Sequence, residues 1–305
     1  MYGVYAEHER CPSSSKKKIM TKPIVVTGTS TGIGWGIADV LVRRGLEVFG
    51  TVRTRTDADR LKSEFGSTFT PLVVDVTNES SIKLAAEKVS GILGQSKLGG
   101  LVNNAGIAVV GPLLHLPLAE FRRQLEVNLI ATLRVTQAFA PLLGTDRTRV
   151  GEAGRIVNIS SVGGKIGVPF LGAYAASKHG LEGMSEALRR ELLIYGIDVI
   201  LIEPGSVNTP IWDKAETEDY ALYRQTDYAS ILETFRKAFI EDGRKGLSPQ
   251  KVGEVVYLAL TTRKPAVSYT VLRQKFPNWT LPRLLPKRLV DRLIGKRLGL
   301  LPIAN

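Results

Sequence analysis

The chain is short of cysteine, of histidine and of long apolar runs, and each shortage removes a class of protein. Cys11 is the only cysteine in 305 residues. An intramolecular disulfide is therefore impossible, and a reducing cytosol is the natural compartment. The three histidines, His8, His115 and His179, are scattered and share no metal-ligand spacing with Cys11, so no metal site is expected. No segment approaches the roughly 20 uninterrupted apolar residues that a membrane-spanning helix requires. The basic cluster Lys16 to Lys18 is followed by an apolar stretch that Lys22 and Pro23 interrupt, which does not read as a secretory signal. The expectation is a soluble, cytoplasmic globular protein, with 44% hydrophobic content ample for a core.

Acidic residues are scarce only at the two ends. The formal net charge is +12, yet residues 1–22 carry five Lys/Arg against two Glu, and residues 263–305 carry ten against Asp291 alone. The body between them, 23–262, balances 26 basic with 26 acidic residues. A neutral body argues against nucleic-acid binding and turns attention to the basic tail. Residues 1–22, with 13-SSSKKK-18, read as a disordered polar leader.

From Pro23 onward, short β-branched runs alternate with helix-length segments. The runs are IVVT at 24–27, EVFGTV at 47–52, TPLVVDV at 70–76, GLVNN at 100–104, RIVNIS at 155–160 and DVILIE at 198–203, with a seventh at 268-SYTVL-272. Such alternation predicts an α/β protein: a doubly wound parallel β-sheet of about seven strands with helices on both faces. With no repeat or low-complexity linker between the units, one domain is expected over about 23–275, followed by an extension over 276–305.

The first run leads into 27-TGTSTGIGWG-36, and helical periodicity resumes at Ile33, Ile37, Val40 and Leu41. A glycine-rich turn between strand and helix lets backbone N–H groups approach a phosphate at the positive end of the helix dipole. Gly28, Gly32 and Gly34 follow the spacing T-G-x-x-x-G-x-G, and here the chain resembles the short-chain dehydrogenase/reductase family, over about 23–260. The resemblance implies the fold named Rossmann and a dinucleotide on this loop, with Ser30, Thr31 and Ile33 among its contacts. It also implies that Asp75, followed by Val76, meets the adenine, and that 103-NNAG-106 lies under the cofactor and stabilises the central sheet, through Asn103, Ala105 and Gly106. In 204-PGSVNT-209, Pro204, Gly205, Val207 and Thr209 match the family's P-G-x-x-x-T, which would hold the nicotinamide carboxamide. The end of the second run, 50-GTVRTR-55, has no carboxylate to bond both ribose hydroxyls; Arg53 and Arg55 could instead meet a 2′-phosphate, one of them being only a solvated charge. NADP(H) is therefore expected over NAD(H), with Arg53 as contact.

In 173-AYAASKHG-180, Tyr174 and Lys178 stand four apart and share a helix face. An ammonium there favours the phenolate and lowers the phenol's pKa from about 10, making Tyr174 a usable proton donor and acceptor. The family places its catalytic serine thirteen residues before the tyrosine, which selects Ser161 over Ser160. The resemblance further implies that Ser161 bonds the substrate oxygen and that Lys178, with Tyr174, also contacts the nicotinamide ribose. Asn128, in 126-EVNLIA-131, would organise a water chain leading to the lysine.

Between 211 and 243 the sequence supplies Trp212, Tyr220, Tyr223, Tyr228 and Phe235, where the family places a helical substrate lid. With 166-IGVPFLG-172 these could line an apolar pocket or simply pack the lid. The text over 160–189 is similar to the steroid and retinol dehydrogenase branch, implying a lipophilic alcohol/ketone substrate: steroid-, retinoid- or fatty-acyl-like. A 3-oxoacyl-thioester reductase or a non-catalytic NADP-sensing, membrane-associated protein are the alternatives. The stretch 280–301 sets Leu289, Val290, Leu293, Ile294 and Leu298 among Lys287, Arg288, Arg292, Lys296 and Arg297, a basic amphipathic helix. Such a helix can lie on an anionic bilayer or dock on its own domain. The resemblance also implies a homodimer or homotetramer built through the helices holding Asn128 and Tyr174.

Overall fold

The alternation of the seven apolar runs appears directly in the computed structural model, which describes residues 22–217, 219–273 and 284–302. The leader apart from Lys22, with His8 and Cys11, and residues 274–283 of the tail lie outside the described residues. The strands are β1 (Ile24–Val26), β2 (Val48–Val52), β3 (Phe69–Val73), β4 (Gly100–Asn103), β5 (Arg155–Ile159), β6 (Asp198–Pro204) and β7 (Ser268–Val271). All neighbours pair in parallel, in the order β3-β2-β1-β4-β5-β6-β7.

Parallel strands of this kind are apolar on both faces because each face carries helices. In β1, Ile24 and Val26 join one core and Val25 the other; in β4, Val102 and Leu101 divide the same way. The first core is closed by α1 (Gly32–Arg43), α2 (Arg55–Phe65) and α9 (Pro249–Thr261). The second is closed by α3 (Glu79–Leu93), α5 (Ala131–Ala140) and the end of α6 (Gly172–Glu191). Helices α1 and α9 cross at glycines: a Cβ on Gly36 would lie 2.5 Å from Pro249 backbone, and one on Gly253 would lie 2.6 Å from the Gly36 carbonyl oxygen.

Helix α4 (Leu118–Leu125) runs into α5 through one π turn, Glu126–Ile130, a feature that the 3.6-residue periodicity does not announce. The segment expected as a lid comprises α7 (Ile211–Thr217), a 3₁₀ turn (Ala221–Tyr223) and α8 (Ala229–Arg244). The tail forms α10 (Lys287–Leu298). Strand order reverses between β1 and its neighbours β2 and β4, so the crevice outside the carboxyl ends of these strands is where an open α/β sheet receives a ligand.

Candidate active site

The glycine loop after β1 is shaped by contacts that only a side-chain-free backbone permits. Gly28 has φ +69°, and a Cβ on Gly34 would lie 2.0 Å from the Gly28 carbonyl oxygen. The Gly28 N–H donates to Thr51 Oγ1 at 2.9 Å, tying the loop to β2. Thr31 starts α1 without a side-chain cap and the first turn holds no acid, so its N–H groups remain available to an anion. The cradle and the open helix end fit a dinucleotide pyrophosphate. Thr209 reaches this loop: a Cβ on Gly32 would stand 3.4 Å from Thr209 Cβ. The Val207 carbonyl is taken by the Trp212 indole N–H at 2.7 Å, and the Val207 side chain sits in the core beside Leu247.

Several residues of this end lay beyond sequence reasoning. Thr27 Oγ1 accepts from the backbone N–H groups of Asn104 and Ala105, at 2.9 and 3.0 Å. Asn104 Nδ2 donates to the carbonyls of Thr27 and Gly28 at 2.9 and 3.1 Å. Of the asparagine pair, then, Asn104 touches the cofactor loop. Asn103, expected there, is buried and donates to Thr136 Oγ1 at 3.0 Å and Asn158 Oδ1 at 2.8 Å, while Asn158 donates to Ser185 Oγ. Its role in the structure is to bind β4 to β5 and to α5. These partners are 27 to 78 residues apart, so no local motif announces them.

Around the expected ribose site, Arg53 is exposed just beyond β2, and Arg55 leans towards Asp59, 3.8 Å away. An acid does stand near: Asp57, whose N–H and carboxylate both engage the capping Thr54. Arg60 donates to Asp57 Oδ1 at 3.1 Å and to the Ser30 carbonyl at 2.7 Å, bridging α2 to the glycine loop. The Arg60 bond is the main cause holding the Asp57 carboxyl below its ordinary range, with Arg53 a smaller contributor. Asp75 is also held low, chiefly by the backbone N–H and then the hydroxyl of Thr77. Ala105 packs on Gly28, and Gly106 on Asn128.

At the chemical end, the C-terminus of β5 and the start of α6 bring Ser161, Tyr174 and Lys178 together. Ser161 accepts from the Gly163 N–H at 3.0 Å, and its hydroxyl is the polar side chain that lowers the Tyr174 phenol pKa. Lys178, 6% exposed, donates from Nζ to the Ile159 carbonyl at 2.7 Å and sits 5.8 Å from the Tyr174 ring centroid. Burial pulls the Lys178 ammonium down to about 8, and the charge of Glu182 opposes that fall. The expected drop in the Tyr174 pKa is not what this geometry gives. Desolvation pushes the phenol up, and the bond from Ser161, not the charge of Lys178, is what pulls it back.

Asn128 lies in the π turn and is fully engaged. Its Oδ1 accepts from the Ile107 N–H at 2.9 Å, and its Nδ2 donates to the Ile107 carbonyl and to Ser177 Oγ. Ser160 points elsewhere, buried and without a hydrogen-bond partner. The lid aromatics form a cluster over this end: Phe170, Leu171, Tyr223, Leu232 and Phe235, with Tyr174, Tyr220, Tyr228, Leu298 and Leu300 against it. Trp212 belongs to the lid's own packing, its ring 5.0 Å from that of Phe239. A cleft of about 370 Å³ lined by Glu216, Arg236, Lys237 and Ile240 includes none of Ser161, Tyr174 and Lys178.

The run 28-GTSTG-32 also satisfies the G-x-S-x-G spacing of a hydrolase nucleophile elbow. Neither described histidine serves it as base. His179 Nδ1 bonds the Ala175 carbonyl oxygen at 2.9 Å, and His115 packs on Tyr228.

Comparison with known proteins agrees with this geometry. The short chain dehydrogenase family profile matches residues 22–219. The chain is 39% identical over 274 residues to an NADPH-dependent 3-dehydrocapnine reductase of Ornithobacterium rhinotracheale, covering 90% of this chain and 96% of that one. It is 32% identical to mouse retinol dehydrogenase 16, covering 90% and 88% of the two chains. A short-chain dehydrogenase structure from Streptomyces avermitilis superposes with a TM-score of 0.71 at 26% identity, over 92% of this chain and 97% of the other. The chain therefore belongs to the short-chain dehydrogenase family and is an oxidoreductase of CH–OH groups that uses a nicotinamide dinucleotide.

Proposed function

We propose that the chain interconverts an alcohol and a ketone or aldehyde on a lipophilic substrate, with NADP(H) as the dinucleotide. The observation that carries the reading is the convergence of Ser161, Tyr174 and Lys178 beneath an aromatic lid. Ser161 orients the substrate oxygen. Tyr174 transfers the proton, and Lys178 supplies positive charge beside it, so the phenolate formed in reduction is stabilised where burial would otherwise oppose it. The glycine loop, Asp75, Lys178 and the 204–209 loop would hold the dinucleotide, which when bound would supply the hydride. The phenyl and phenol rings of Phe170, Tyr223 and Phe235 exclude water and favour a bulky apolar body on the substrate.

Support for NADP(H) comes from Arg53 and from the state of Asp57, whose charge is already met by Arg60 and Thr54 and so opposes a 2′-phosphate less. The name of the capnine reductase relative points the same way. The test is NADPH and NADH consumption over a panel of lipophilic and small polar carbonyls. Tyr174→Phe should lose about 10²–10⁴-fold in turnover while still binding NADPH. Arg53→Ala should weaken NADPH about 10–100-fold relative to NADH. An unchanged cofactor ratio overturns the 2′-phosphate assignment, and activity confined to small polar carbonyls overturns the substrate class.

A peripheral membrane contact belongs to the same reading. Leu298 and Leu300 pack into the lid cluster, so α10 docks on its own domain. Its opposite face presents Leu289 and Leu293, 43% and 54% exposed, among the exposed side chains of Arg288, Arg292, Lys296 and Arg297. Cations framing a leucine stripe suit an anionic bilayer, because long basic stems lie along apolar surface while their charges meet headgroups. No helix among the described residues is long and apolar enough to cross a membrane. Self-association through α5 and α6 completes the reading.

A further inference from the structure

The catalytic row on α6 does not end at Lys178. Glu182 follows four residues later, so Tyr174, Lys178 and Glu182 occupy successive turns of one helix face. Glu182 is 6% exposed, and neither of its carboxylate oxygens, both closed off from solvent, accepts a well-aligned hydrogen bond. A carboxylate in that state is costly unless charge compensates it.

Two more charged groups meet it. Lys165, from the loop after β5, places Nζ 2.7 Å from Glu182 Oε2 and 3.9 Å from Glu203 Oε1. Glu203, from β6, is 2% exposed and accepts from Thr270 Oγ1 at 2.9 Å. The room for this group depends on Gly164, where a Cβ would stand 2.8 Å from the orphaned Ser160 Oγ and 3.1 Å from Glu182 Oε1. Behind the site, then, two buried carboxylates face one ammonium, Lys165. The other cation of the group is Lys178, one turn before Glu182 on the same face of α6. The titratable and charged groups around Glu182 are thus Lys178 and Tyr174 on its own helix, Lys165 from the loop, and Glu203 from the strand.

We propose that Glu182 is a positioning residue whose buried negative charge, only partly met by Lys165, keeps Lys178 cationic beside Tyr174. The inference rests on Lys178 acting as proposed above. Burial alone drives Lys178 towards its neutral form, in which it can neither stabilise a phenolate nor donate to a ribose as an ammonium, and Glu182 is the charge that resists this. The sign follows. Activity that needs the cation falls as pH rises through the Lys178 pKa, so removing the carboxylate must bring that fall to lower pH.

The experiment compares wild type, Glu182→Gln, Glu182→Asp and Lys165→Gln, all as full-length chains. NADPH affinity is read by fluorescence titration and turnover of a carbonyl that the wild type reduces, both as functions of pH. Glu182→Gln should move the alkaline limb of both profiles down by about one unit, with the deficit in turnover shrinking at acid pH. Glu182→Asp should restore part of the shift, and Lys165→Gln should move the limb up. A deficit constant across pH with the limb unmoved means a structural role and overturns the inference, as does a downward shift in Lys165→Gln. Should Glu182→Gln fail to fold, the Lys165→Gln direction decides. A wild type that neither binds NADPH nor consumes it would sink the functional reading itself; a competent wild type with superimposable variant profiles sinks only this one.

Discussion

Lys178 makes the cost of the site measurable at the level of one side chain. Its folded pKa of about 8 lies below the 10.5 of a free lysine, so the unfolded state binds the proton more tightly. Stability therefore rises with pH between about 8 and about 10.5, and below that window the charged, buried ammonium costs roughly 3 kcal/mol. Urea unfolding of wild type against Lys178→Met should show the difference moving in favour of the wild type by about that amount from pH 7 to pH 10.5; parallel curves would mean that burial is not the dominant influence. Tyr174 and Lys178 were legible because four-residue spacing is a local property of a helix, and Ser161 because a fixed offset in a family resemblance picks it out. Thr27, Asn104 and Arg60 were not, because their polar partners come from other elements. Glu182 was hidden for a different reason: a glutamate one turn beyond a lysine on a helix is usually a solvated pair, and only the packing of the loop bearing Lys165 and of β6 buries it.

Among the elements, the strands were the most readable, since a run apolar on both faces has few places to go except a sheet covered twice. All seven strand positions follow from that pattern, with ends shifted by at most three residues, the largest shift at the end of β3. The π turn at Glu126–Ile130 was unreadable, because an extra residue in one turn leaves the apolar periodicity on either side nearly intact. Helix α10 shows a third situation: its sequence offered two destinations, a bilayer or the protein, and the fold packs Leu298 on the protein while Leu289 and Leu293 stay exposed. In vesicle sedimentation, the full chain should pellet with anionic but not zwitterionic vesicles, and Leu289→Gln with Leu293→Gln should reduce pelleting several-fold without lowering the melting temperature. Equal pelleting of the variant would remove the outward stripe from any role at a membrane.

Taken as a whole, the molecule joins two halves that a dinucleotide would bridge: the glycine loop of β1 and α1 on one side, the 204–209 loop and lid on the other. Gly32 and Thr209 nearly touch across that join. Trp212 helps to fasten the lid to the 204–209 loop, donating to the Val207 carbonyl and packing its ring on Phe239, alongside the Ser206 hydroxyl that donates to Asp242. A chromophore stationed at that joint gives the protein its own optical gauge. In a chain with Trp35→Phe and Trp279→Phe, emission should come from Trp212 alone, and loading with NADPH should quench it by energy transfer to the reduced ring in proportion to occupancy. Stopped-flow recording of that quench would time the joint's response to loading, and emission indifferent to NADPH would mean that the indole and the pyridine ring never come within range of each other.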